Sequence, residues 1–284
     1  LPLKPELLTR LHAMGFAAMT PVQAETLPPL IDGKDVIAQA STGSGKTAAY
    51  ALACLQRLQP KSFHVQSLVL CPTRELAEQV AQSVRDLAKN IANTKILTLC
   101  GGVPLGPQIG SLQHSAHIIV GTPGRVLKHL QKGTLHLHGL DVMVFDEADR
   151  MLDMGFIPQV KRIVRATPRK EDRQTLLFSA TVTQDIMNLA RQWTFEPITV
   201  EIEPERVATA SVDQKVYLVS SRERFPVLMD LLKDESVESV IIFANRRDQV
   251  RRLYEKLRKA GVHCGMLSGE ITQAKRTKTL ENFK

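Results

Sequence analysis

Ala40-Ser41-Thr42-Gly43-Ser44-Gly45-Lys46-Thr47 is the stretch that decides how this chain folds. It follows the short apolar run Asp35-Val36-Ile37-Ala38-Gln39 and precedes the helix-forming run from Ala48 to Leu58. Strand, glycine loop and helix in that order are the context of a phosphate-binding P-loop. Gly43 and Gly45 let the backbone of Ser41, Thr42 and Ser44 turn its N–H groups inward, and the first helical turn adds its unpaired N–H groups and the positive end of its dipole. Lys46 can then reach the β- and γ-phosphates of a nucleoside triphosphate, and the Thr47 hydroxyl can hold Mg²⁺. Ala40 stands where the general P-loop pattern has its first glycine, so the octapeptide needs support from the rest of the chain.

That support comes from the alternation around it. Short Val/Ile/Leu-rich runs near 36–39, 67–71, 95–99, 117–120, 141–145, 174–178 and 198–202 are separated by helical stretches, the pattern of a parallel sheet covered on both faces. A doubly wound α/β domain binds its ligands at the carboxyl ends of its strands, so those positions carry the candidates. After 141–145 comes Asp146-Glu147-Ala148-Asp149, where Asp146 can hold Mg²⁺ and Glu147 can orient and deprotonate an attacking water. After 174–178 comes Ser179-Ala180-Thr181, hydroxyls suited to sensing the γ-phosphate region or linking to Asp149. Three other strand ends, Pro72-Thr73-Arg74, Gly101-Gly102 and Thr122-Pro123-Gly124-Arg125, combine Gly or Pro with Thr and Arg at helix starts. Groups of this kind contact a nucleic-acid backbone without reading bases. Upstream, Thr20-Pro21 is a strong helix start and sets Gln23 in the first turn, exposed, where its amide can pair with adenine while Phe16 stacks on the ring.

Composition narrows the class without deciding it. A chain of 284 residues with 43% hydrophobic residues exceeds the usual single-domain size, so two lobes are expected. No apolar run approaches the length that spans a bilayer, and the first residues lack a signal-peptide pattern, so the expectation is a soluble, cytoplasmic protein with no membrane partner. Cys54, Cys71, Cys100 and Cys264 are scattered, which argues against disulfides and zinc. The net charge of +8 is concentrated: residues 241–284 hold 11 Lys/Arg against 4 Asp/Glu, a composition suited to a polyanion.

Taken in order, these motifs resemble those of the DEAD-box ATP-dependent RNA helicases of superfamily 2. Gly15-Phe16 through Gln23 is similar to the Q motif, Ala40–Thr47 to motif I, Pro72–Ala77 to motif Ia, Gly101-Gly102 to the GG element, Thr122–Arg125 to motif Ib, Asp146–Asp149 to motif II and Ser179–Thr181 to motif III. The family's motif I begins with Ala, which accounts for Ala40. The first lobe resembles bacterial members of the DbpA type and the later residues resemble members of the RhlB type. The resemblance implies ATP and Mg²⁺ as cofactors, adenine recognition by Gln23 and Phe16, and sequence-independent RNA contacts at Pro72, Thr73, Arg74, Gly102, Thr122, Pro123, Gly124 and Arg125. It also implies coupling through Asp149, Ser179 and Thr181, and a monomer when complete.

Residues 203–215 lose the apolar pattern and read as a linker after a first RecA-like domain, 1–202. A second α/β pattern over 216–284 has expected strands near 216–220, 240–244 and 264–267 and helices near 223–234, 246–260 and 272–284. Its Val240–Asn245 resembles motif IV, which adds Asn245 and Arg246 as expected RNA contacts. Sequences of the motif V type, Thr-Asp-x-Ala-Ala-Arg-Gly, and the motif VI type, His-Arg-x-Gly-Arg-x-x-Arg, do not occur in residues 1–284, so the second RecA-like domain is expected to be partial. An arginine finger from such motifs is worth about 10³–10⁵ in rate in related phosphoryl-transfer systems. The expectation is therefore ATP binding with impaired turnover, the alternative being a non-catalytic fragment that binds RNA or a partner. A GTPase would want Asn-Lys-x-Asp, and Asn245-Arg246-Arg247-Asp248 lacks the Lys. A DNA helicase of the same superfamily stays open, because backbone contacts do not report the 2′-hydroxyl.

Overall fold

The computed structural model describes residues 2–202, 213–234 and 237–283. The chain forms two compact units, Leu1–Pro204 and Glu205–Lys284. Most of the expected linker, residues 203–212, lies outside the described residues.

The first unit is built on seven strands: β1 (Val36–Gln39), β2 (Ser67–Leu70), β3 (Ile96–Leu99), β4 (Ile118–Gly121), β5 (Val142–Asp146), β6 (Gln174–Ser179) and β7 (Ile198–Glu201). Their order in the sheet is β3-β4-β2-β5-β6-β1-β7, and every neighbouring pair is parallel. Strands β2 and β4 to β6 are buried along their whole length, which is why they read as continuous apolar runs with no alternation. The alternation survives in which core each residue joins. Val142 and Val144 pack with Val36, Ala38 and Phe178 on one face, while Met143 and Phe145 pack with Ile37 and Leu177 on the other. Helices α1 (Pro5–Ala13), α2 (Pro21–Ile31), α3 (Lys46–Arg57) and α4 (Arg74–Ala88) cover the first face. Helices α6 (Pro123–Gln131), α7 (Ala148–Asp153), α8 (Ile157–Val164) and α9 (Gln184–Trp193) cover the second, and α5 (Leu105–Gln113) buries no residue fully. Each fully buried Leu, Ile or Val contributes about 1.5–3 kcal/mol of transfer free energy, so these two cores dominate the unit's stability.

The second unit contains α10 (Arg224–Leu231), α11 (Arg247–Lys259) and α12 (Gln273–Phe283), close to the expected helices. The expected strands near 216–220, 240–244 and 264–267 are absent: the described residues of all three segments are irregular. A strand exists only as part of a hydrogen-bonded ladder, and no two of these segments pair. Their apolar side chains are correspondingly exposed, Leu218 at 97% and Phe243 at 89%, and among the described apolar residues of this unit only Leu257 is buried. Apolar composition alone therefore misled the reading here.

Candidate nucleotide site and nucleic-acid face

Strands β5, β6 and β1 are adjacent, and their register sets three loops side by side. Asp146 pairs with Phe178, and Ala38 pairs with Phe178 from the other side, so the loop after β1 and the carboxylates after β5 open from the same level of the sheet. Gly43 and Gly45 take left-handed φ values of 82° and 93°. Gly45 is also held close: a Cβ there would lie 2.7 Å from Gln23 Nε2 and 2.9 Å from Thr20 Oγ1. The turn delivers Lys46 and Thr47 as the first residues of α3. Ser41, Thr42 and Gly43 are exposed at its rim, with Ser44 and Thr47 half-buried.

Lys46 and Asp146 are buried together, with Nζ 3.0 Å from Oδ1. The pair lacks hydrogen-bond alignment, so both atoms remain without an aligned partner. A buried carboxylate oxygen and a buried ammonium in that condition, beside a helix N-terminus, fit a magnesium triphosphate: Oδ1 and the Thr47 hydroxyl as hard oxygen donors, Lys46 and the backbone N–H groups for the phosphates. The second carboxylate oxygen, Oδ2, accepts a hydrogen bond from Tyr50 Oη at 2.8 Å. Glu147, 5% exposed, adopts a left-handed φ of 53° and is paired at 3.0 Å with Arg150 Nη1. A strained non-glycine residue with a buried carboxylate at a strand end is the kind of position where strain accompanies function.

Motif III joins this group through Asp149. Thr181 donates to Asp149 Oδ2 from both its hydroxyl, at 3.0 Å, and its backbone N–H, at 3.1 Å. The Asp149 N–H donates to Ser179 Oγ, which in turn donates to the Thr181 carbonyl. Burial opposes ionisation of Asp149, but the Thr181, Arg150 and Ser179 hydrogen bonds outweigh it and hold the carboxyl below the usual aspartate range.

Gln23 differs from the expectation of an exposed amide. It is 4% exposed, because a capping box turns it back: its Oε1 accepts the Thr20 N–H at 3.0 Å and its Nε2 donates to the Gly45 carbonyl at 3.1 Å. The amide thus ties the α2 start to the glycine loop. Phe16 is 38% exposed and borders, with Leu8, Met19, Gln23, Leu27 and Leu52, an open apolar hollow of about 310 Å³.

The other candidates gather at the ends of β2, β4 and β3, the far half of the sheet. The Arg74 guanidinium lies over Gly101 and Gly102, so a Cβ at Gly102, which takes a left-handed φ of 83°, would have to displace it. Arg125 Nη2 donates to the Val103 carbonyl at 2.8 Å and Nη1 to Gln108 Oε1 at 2.8 Å. Gln108 also donates to the Cys100 carbonyl at 3.1 Å and meets His129 Nε2 at 3.1 Å. Pro72 and Pro123 are buried; Pro123 opens α6, where its missing N–H costs nothing. The Thr73 hydroxyl accepts the Leu76 N–H as the cap of α4, whereas the Thr122 hydroxyl makes no cap bond, and Gly124 is exposed. Asn245 and Arg246 belong to the second unit, exposed at the start of α11, with Arg246 paired to Asp248 at 3.2 Å.

Sequence reasoning missed Tyr50, Gln108, His129 and Arg150. Tyr50, four residues after Lys46, and Arg150, three after Glu147, stand at spacings that share a helical face, a signal that was available. Gln108 and His129 gave none, because their roles depend on two helices, α5 and α6, meeting in space.

A P-loop, a strand-end carboxylate pair and a doubly wound parallel sheet define a RecA-like P-loop NTPase. The DEAD/DEAH box helicase family model matches residues 20–189, and the helicase conserved C-terminal domain model matches residues 223–284. The chain belongs to the DEAD-box helicase family. It is 46% identical to the ATP-dependent RNA helicase RhlB of Pseudomonas putida, over 99% of this chain and 73% of that protein. It is 47% identical to the ATP-dependent RNA helicase DbpA of Escherichia coli, over 99% of this chain and 61% of that protein. Among solved structures, Saccharomyces cerevisiae Dbp5 bound to RNA and ADP BeF3 matches with a TM-score of 0.86 at 30% identity, covering 99% of this chain and 71% of that one. Among the described residues no helix is long and apolar enough to cross a membrane.

Proposed function

We propose that this chain is an ATP-dependent RNA helicase module in which ATP binding and hydrolysis drive local opening of RNA duplexes or remodelling of RNA–protein complexes. Membership of the family supports the ATP-dependent RNA helicase function. The observation that carries the residue assignment is the buried Lys46–Asp146 pair with Glu147 beside it, hydrogen-bonded through Tyr50 to the same helix that the glycine loop begins. In this reading Phe16 and Gln23 recognise adenine, Gln23 through the second Nε2–H and the second Oε1 lone pair that its bonds to Gly45 and Thr20 leave. Ser41 to Thr47 cradle the phosphates, and Thr47 and Asp146 hold Mg²⁺, which neutralises phosphate charge when bound. Glu147 takes the proton of the attacking water, and Asp149, Ser179 and Thr181 transmit the state of the site. Arg74, Gly102, Thr122, Gly124 and Arg125, with Asn245 and Arg246, bind the RNA backbone. The first lobe is assigned to 1–202, the linker to 203–215 and the second lobe to 216–284.

An isolated polypeptide of residues 1–284, which holds no arginine motif of the family's motif VI type, should bind ATP and turn it over more slowly than one that carries such a motif. The test compares binding of a fluorescent ATP analogue with phosphate release, with and without RNA, for the chain and its Glu147→Gln variant. Expected are retained nucleotide binding in both and a drop of about 10²-fold or more in the residual hydrolysis of the variant. Hydrolysis indifferent to Glu147→Gln would leave only the passive RNA- or partner-binding alternative. Fast RNA-stimulated turnover by the chain would refute the need for the arginines.

A further inference from the structure

We propose that Tyr50 is a positioning residue of the nucleotide site: its hydroxyl holds the Asp146 carboxylate so that Oδ1 alone faces Lys46 and a bound Mg²⁺. The inference rests on the reading that Asp146 and Thr47 hold the metal. Tyr50 lies one turn beyond Lys46 on α3 and is fully buried. Its ring packs on Phe178, with centroids 5.3 Å apart and planes at 55°, and Phe178 is the register partner of Asp146 on β6. The hydroxyl is therefore clamped by the same strand pair that presents the carboxylate. It donates to Oδ2 at 2.8 Å while Lys46 Nζ stands 3.0 Å from Oδ1, so the two oxygens have separate partners.

A phenylalanine would fill this space without desolvating a hydroxyl, so what the oxygen contributes it contributes through its polar neighbours, the Asp146 carboxylate first and the Thr47 hydroxyl beside it. A tyrosine hydroxyl supplies one O–H donor, and here that donor is spent on Oδ2. Without it the completely buried Oδ2 has no hydrogen-bond donor, and the carboxylate is free to rotate and offer either oxygen to Lys46. Groups that orient a metal-binding carboxylate in this way typically contribute 10- to 100-fold to metal affinity.

The test titrates Mg²⁺ into the chain with a fluorescent ATP analogue, and measures analogue affinity in EDTA, for wild type and Tyr50→Phe. The Phe ring keeps the packing on Phe178, and circular dichroism checks the fold. We expect the Mg²⁺ midpoint to rise about ten-fold while affinity in EDTA changes by less than about two-fold. In an Asp146→Asn background the same change should move the midpoint no further. An unchanged midpoint in Tyr50→Phe, or an equal loss of affinity with and without Mg²⁺ as general loosening of the core would produce, overturns the inference. A wild-type chain indifferent to Mg²⁺ would instead overturn the magnesium reading beneath it.

Discussion

The two halves of the first unit's sheet solve different problems with the same strand-end geometry. At the ends of β1, β5 and β6 the charged groups are buried and matched to one another, with Lys46, Asp146 and Glu147 each 5% exposed or less. At the ends of β2, β3 and β4 the guanidiniums of Arg74 and Arg125 are only half-buried and are steadied by backbone carbonyls, glycines and Gln108. Phosphoryl transfer needs charges fixed in a water-poor site, where they act strongly and need no reorganisation. A polyanion backbone needs accessible donors, since its binding comes from many exchangeable phosphate contacts. A change in one half should therefore leave the other half's ligand almost untouched.

The sharpest way to break that contrast is at Gly45. Gly45→Ala places a Cβ 2.7 Å from Gln23 Nε2 on a backbone with φ of 93°. Left-handed strain of about 1–3 kcal/mol, with Gln23 displaced, predicts a loss of about 10- to 100-fold in nucleotide affinity. RNA affinity measured without nucleotide should stay within about two-fold. Equal losses of both would show that the halves are not separable.

The reciprocal change is Gln108→Ala, which removes contacts to the Cys100 carbonyl, Arg125 and His129 and leaves polar groups unpaired. A cost of about 1–2 kcal/mol to the ordered form of these loops predicts RNA binding weaker by about 5- to 30-fold, with nucleotide affinity held. RNA binding that is unchanged in a filter or anisotropy titration would mean that Arg125, at the start of α6, needs no such support.

The same contrast explains what could be read from the chain before its structure. The nucleotide half was legible because its chemistry is local: Gly43 to Thr47 are contiguous, and Asp146 and Glu147 are adjacent. The sheet was legible because fully buried parallel strands are apolar on both faces. What could not be read depends on distant partners. Thr20 and Gln23 stand at capping-box spacing, a local signal that turns the amide inward, but the Gln23 bond to the Gly45 carbonyl and the meeting of Gln108 on α5 with Arg125 and His129 on α6 join elements far apart in sequence. The segments 216–220, 240–244 and 264–267 have the composition of strands, but composition supplies no hydrogen-bonding neighbour.

The smallest expected effect concerns His129, which is fully buried behind Arg125. Burial first, and then the Arg125 and Lys128 charges, lower its pKa below the ordinary histidine value of 6.5. In the neutral ring Nε2–H can donate to Gln108 Oε1 while Nδ1 accepts from the Thr134 hydroxyl, with contacts of 3.1 and 2.9 Å. Because the folded form resists the proton that the unfolded form accepts, His129 adds a stability term that is fully present above the unfolded pKa. That term declines as pH falls through 6.5 toward the lower folded value. Going from about pH 7.5 to about pH 5.5, the wild type should therefore lose more unfolding free energy than His129→Gln, by less than the ~1.4 kcal/mol per pH unit that one proton can supply. Denaturant unfolding at the two pH values measures the difference. Protonation adds its proton at Nδ1, so the contact that changes is the one with Thr134, while Nε2–H still holds Gln108 Oε1. Parallel pH slopes in wild type and variant would place the acid sensitivity of this half elsewhere.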